Sequence, residues 1–127
     1  MYDYYTEQLK TDYNEVWTAW KEIHALIAST TRKAHITRAL KNVERLLKKV
    51  EKLMGYLPKD DQPPSVKLLT ELEGVLAQYS GTFSSLCCAV YDLPMSGDCK
   101  DSIMEGVRYI DTCITDMKET LKKSLAG

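Results

Sequence analysis

At 127 residues and 14.5 kDa the chain has the size of one domain with one core, and folding at this length buries roughly two-thirds of the exposable surface without help from a metal or disulfide. Apolar residues at 44% and charged residues at 28% exclude a disordered tail, a collagen-like repeat and a membrane protein. A formal net charge of −1 argues against nucleic-acid binding driven by bulk charge.

That average conceals a segregation. Residues 1–29 carry five acids and two bases, residues 32–54 two acids and eight bases, and residues 59–127 eleven acids and seven bases. The middle of the chain is strongly basic between acidic flanks. The start, Met1-Tyr2-Asp3-Tyr4-Tyr5, lacks the basic and apolar regions of a signal peptide, so a cytoplasmic location is expected. Cys87, Cys88, Cys99 and Cys113 have neither metal-site nor secreted-framework spacing and are expected to be reduced, packing as small hydrophobes.

The first predicted element carries an apolar stripe at Tyr2, Tyr5, Leu9, Tyr13, Val16, Trp20, Ile23 and Ile27, in alternating steps of three and four. Such steps keep one arc of a helix apolar. Most of its aromatic rings are expected to pack in or beside the core, while Tyr4 points away from the stripe. His24, at the stripe's edge, and His35 flank the Ser29-Thr30-Thr31 turn. Two imidazoles alone make a poor metal site, so both are expected to be structural.

The second helix has its stripe at Ile36, Leu40, Val43, Leu47, Val50, Met54 and Leu57. Opposite it, Arg38, Lys41, Arg45, Lys48 and Lys52, with Lys49 beside them, fall within about 100° of arc and form one basic ridge. A ridge like this attracts an acidic protein surface, nucleic acid or anionic lipid, or is merely solvated beside Glu44 and Glu51. No aromatic or amide side chain interleaves it in the manner of a nucleic-acid reader. Gly55 and the stretch Pro58 to Pro64 end the element, because proline has no amide proton to donate and clashes with the preceding turn.

The third helix is expected to run unbroken through Leu69, Leu72, Leu76, Tyr79, Phe83, Leu86, Val90 and Leu93. Between Glu73 and Asp92 no residue is charged for eighteen positions. Gly74, Ala77, Gly81, Ser84 and Cys88 share the outward face, with Tyr79, Thr82 and Ser85 near its margins. Each interior glycine costs about 1 kcal/mol of helix propensity relative to alanine, which plain solvation does not explain. Two explanations are open: the small face admits a partner helix, or the glycines mark a bend or a tight contact inside the bundle. Cys87 and Cys88 diverge on a helix and cannot share a metal.

Pro94 to Gly97 forms the next break, with Ser96 or Asp98 as the expected cap. The fourth helix has its stripe at Cys99, Ile103, Val107, Ile110, Ile114, Met117, Leu121 and Leu125. Asp98, Asp101 and Glu105 are spaced for a Mg²⁺ site, but no second helix supplies facing carboxylates. Their place in the first turns of the helix suits its dipole.

The expected fold is therefore all-α, a single antiparallel up-down-up-down four-helix bundle over residues 1–127, since short connections make neighbouring helices antiparallel. Long cytokine-type crossovers and the Glu-x-x-His pairs of di-iron bundles are missing, and no inward stripe contains Asp, Glu or His. Phosphate-loop, nucleophile-elbow and zinc-protease motifs are missing as well. No catalytic residue, metal or cofactor is expected. The leading expectation is a non-enzymatic regulatory or adaptor protein that docks a partner helix or a second copy, as in a homodimer, through Gly74, Ala77, Gly81, Ser84, Ser85 and Cys88. The alternative is nucleic-acid or polyanion binding through the second-helix ridge, and the third is a Mg-dependent nucleotide hydrolase using the acids of the fourth helix.

Overall fold

A computed structural model describes residues 2–28, 34–58 and 62–126. The Ser29-Thr30-Thr31 turn, residues 59–61, and the side chains of Tyr2 and His35 lie outside the described residues. Within them the chain is helical, with no strand: α1 (Tyr2–Ala28), α2 (Ala34–Met54), α3 (Val66–Ala77), α4 (Tyr79–Tyr91) and α5 (Gly97–Ala126). α3 and α4 are halves of the single third helix expected from the periodicity, so the five segments make four rods.

The break at Gln78 has a local cause. Its amide donates to the Val75 carbonyl, a tighter bond than the α-helical one. Its own carbonyl accepts from both the amide and the hydroxyl of Thr82, at 3.3 and 3.1 Å. Back-bonding of this kind bends helices, and it recurs at Ser85, whose hydroxyl donates to the Gly81 carbonyl. The break lies between Gly74 and Gly81, where helix propensity is lowest. The apolar steps of three and four nevertheless continue through it, so Leu76, Tyr79 and Phe83 are all buried.

Caps fix the other ends. The Ser65 hydroxyl accepts from the Leu68 amide at the start of α3, and the Ser96 hydroxyl accepts from the Cys99 amide at the start of α5. After α2 the chain tightens through Gly55 and two further turn bonds, which carry Leu57 into the core.

One buried cluster joins all five segments. Every stripe residue of α2, α3 and α4 is buried. The fourth rod departs from expectation at three places: Cys99 and Val107 are half-buried, and Leu125 is exposed. α1 lies against α5 along much of its length, whereas α2 packs on α3 and α4. The α1–α5 seam is the tightest. A Cβ on Gly106 would stand 2.9 Å from Cγ1 and Cδ1 of Ile23, so only glycine fits here without a shift. Two phenols bridge rods: Tyr13 donates to the Leu47 carbonyl at 2.8 Å, and Tyr79 to the Val107 carbonyl at 3.2 Å. No described helix is long and apolar enough to cross a membrane.

Candidate interaction surfaces

Gly74, Ala77, Gly81, Ser84, Ser85 and Cys88 are all exposed on the outer side of α3 and α4. A Cβ added to Gly74 or Gly81 would meet nothing within 4 Å, so neither glycine serves a tight contact inside the bundle. The bend at Gln78 accounts for the break in the rod but leaves the missing charge unexplained. Near the ends of this face stand two exposed apolar side chains, Val66 at 68% and Tyr91 at 74% exposure. Lys100 reaches over the Tyr91 ring, 5.9 Å from its centre, and donates to the Tyr91 carbonyl, tying α4 to α5.

The ridge of α2 is equally open. Arg38, Lys41, Arg45, Lys48, Lys49 and Lys52 are exposed, and among the described residues none of them makes an ion pair. Of the two acids expected beside them, Glu44 lines one hollow with Lys41, Arg45, Lys48, Lys49 and Lys52, and among the described residues neither acid pairs with a ridge base. Glu44 meets His24 of α1 at 3.6 Å, and Glu51 borders a hollow with Lys10 and Tyr13. His24 also sets its ring edge-on to Trp20 at 5.9 Å, giving it a structural place between α1 and α2.

On the outer side of the α1–α5 seam runs a groove of about 660 Å³. Its floor is low because Ala19, Ser102 and Gly106 are small. Its acids are Glu15, Glu22 and Glu105, and its lining contains neither lysine nor arginine. Glu15 also accepts from the buried Cys113 thiol at 3.6 Å. Desolvation, and then that bond, pushes the Cys113 thiol up to about 11, so it stays protonated and weakly nucleophilic at neutral pH. Hydrogen bonding to Glu15 comes first in pushing the neighbouring Tyr109 phenol up to about 12. Cys87 is raised as well, by desolvation and then by Cys88.

Sequence reasoning missed Asp12. No stripe position holds an acid, yet Asp12 is 5% exposed. Contact with α5 widens the buried arc of α1 beyond one narrow stripe and encloses Asp12. Gln8 donates to one of its oxygens at 3.4 Å, and the other has no partner. Desolvation raises its pKa, the Gln8 bond lowers it, and the Asp116 and Glu15 charges raise it further. Gly106 was missed too. The glycines on α3 and α4 face open space, whereas Gly106 on α5 sits where two helices meet.

Asp98, Asp101 and Glu105 are exposed, and no group of three potential metal ligands occurs among the described residues. Comparison with family models, curated proteins and solved structures finds no match for this chain.

Proposed function

We propose that this chain is a non-enzymatic protein-interaction module, an antiparallel up-down-up-down four-helix bundle that receives a partner helix on the outer face of α3 and α4. Two reversals of residue order support the antiparallel reading. Glu15 meets Cys113 while the later Ile23 meets the earlier Gly106, and Tyr13 meets Leu47 while His24 meets Glu44.

The observation that carries the docking face is the open space above Gly74 and Gly81. Each glycine weakens its helix by about 1 kcal/mol relative to alanine, and neither is needed for packing within the chain. A neutral face without bulk is cheap to desolvate and lets a second backbone come close. Val66 and Tyr91 supply apolar contact near its ends.

The test is Gly81→Glu, with the associated protein recovered from native cells and the oligomeric state followed by light scattering. The variant is expected to keep its helical circular dichroism and to lose its partner or its second copy. A monomer at all concentrations whose associations are unchanged by Gly81→Glu overturns the reading.

A further inference from the structure

The ridge of α2 is a helix face whose bases share a hollow with one acid, Glu44, and make no ion pair among the described residues. Its bases run from Arg38 to Lys52, about 21 Å at ~1.5 Å per residue, and among the described residues none is neutralised. An unpaired row of this length makes a local positive potential that a flexible solvated surface ordinarily dilutes with acids. Here the acids of α2 number two against six bases, and Glu44, at the ridge's margin, pairs with His24 of α1, while Glu51 borders the hollow beside Tyr13.

The chain also carries a matching surface. The α1–α5 groove has Glu15, Glu22 and Glu105 in its lining and no base. Glu15 and Glu22 are seven residues apart, as are Lys41 and Lys48, and Arg45 and Lys52. Seven residues are two helical turns, about 10.5 Å, so a ridge helix laid along the groove meets carboxylates in register. The low floor at Ala19, Ser102 and Gly106 gives room for the incoming rod. α2 packs on α3 and α4, and its contact with α1 is slight, so its ridge does not reach the groove of its own chain.

We propose that the α2 ridge docks into the α1–α5 groove of a second copy of this chain, joining copies head to tail. The two surfaces differ, so a joined pair leaves one groove free at one end and one ridge free at the other, and the contact propagates. A near-zero net charge with segregated signs favours this partner over a polyanion, which the acidic α1 would repel. The contact is polar and short, and its strength depends on ionic strength. Raising that from about 10 to about 150 mM shortens the screening length from about 30 to about 8 Å.

Sedimentation of the whole chain at both ionic strengths tests the proposal. The mean mass is expected to rise with concentration at low salt and to return to the monomer at the higher value. A ridge variant with Lys41→Glu, Arg45→Glu and Lys48→Glu, and a groove variant with Glu22→Lys and Glu105→Lys, should each stay monomeric alone. Mixed together they should associate again, because each then offers what the other lacks. All five positions are exposed, and Glu15 is left intact to hold Tyr109 and Cys113. A wild-type chain that remains monomeric at low salt overturns the proposal, as does a mixture of the two variants that fails to associate. Association that survives ridge reversal but is lost in Gly81→Glu belongs to the α3–α4 face and also overturns it. A monomeric chain whose ridge retards a labelled oligonucleotide assigns the ridge to nucleic acid instead.

Discussion

Asp12 brings a carboxylate into the α1–α5 seam with one oxygen unpartnered and two acids, Asp116 and Glu15, close enough to oppose its ionisation. Its folded pKa lies above the ordinary 3.8, so the native state holds this proton more tightly than the unfolded chain. Stability from this group is therefore greatest below the unfolded value and declines as pH rises from about 3.8 through the folded value. Asp12→Asn removes the charge and presents an amide to the neighbouring acids. Urea melts at neutral pH should show the variant more stable by about 1 kcal/mol, with a shallower loss between acid and neutral pH. A variant weaker than wild type at neutral pH would mean that the carboxylate is better satisfied than its geometry indicates. The cysteines divide by the same logic of burial. Cys88 is exposed and Cys113 is buried with its thiol held protonated. A chromogenic disulfide reagent at neutral pH should label Cys88 in the native chain and Cys113 only on unfolding. Because Cys88 lies on the proposed docking face, a bulky adduct there should release the partner as Gly81→Glu does.

Among the elements, two glycines separate what periodicity conveys from what packing adds. Every stripe residue of α2, α3 and α4 is buried because burial there centres on one arc, and Ala39, Leu46 and Leu68 join the core from beside it, where steps of three and four alone do not reach. Outward exposure of Gly81 and of Lys48 follows from the same angles. The break at Gln78 was not legible, since an apolar stripe keeps its phase through a slightly tightened turn and the hydroxyl of Thr82 leaves no mark in hydropathy. The α1–α5 seam was not legible either, because helical angle tells which face turns inward but not which neighbour comes closest. Gly106 and Gly81 look alike in the sequence and are opposite in the structure: one would press a Cβ on Ile23, the other would meet open space. Gly81→Ala should thus stabilise the isolated chain by about 0.5–1 kcal/mol, the ordinary gain in helix propensity. Gly106→Val should destabilise it by about 1–3 kcal/mol through overpacking of the seam. Denaturant melts of the two variants side by side check the signs. Equal shifts in the same direction would remove the distinction between an open face and a closed seam.

At the scale of the whole molecule, the most extensive contact joins α1 to α5, the elements most distant in sequence. Glu15 and Cys113 meet although they are 98 positions apart. α2, α3 and α4 form a second, more local group, which packs on α5 through α3 and α4 and is also tied across by the Tyr13 bond to Leu47 and the Tyr79 bond to Val107. Closing a long loop costs entropy that only the finished seam offsets, so the α1–α5 pairing needs both partners at full length. Removal of residues 114–127 deletes Ile114, Met117 and Leu121, all buried, and leaves the start of α1 without its cover. Leu9 and Tyr13 would then face water. The truncated chain should keep much of its helical far-ultraviolet signal from α2, α3 and α4, lose the near-ultraviolet signal of fixed aromatic rings, and unfold without a sharp transition, as loosely packed helical states do. Circular dichroism in both regions with a thermal scan decides the matter. A truncated chain that melts as sharply as the full one would show that the local group holds the core alone, and that the α1–α5 seam is an addition to the fold rather than its closure.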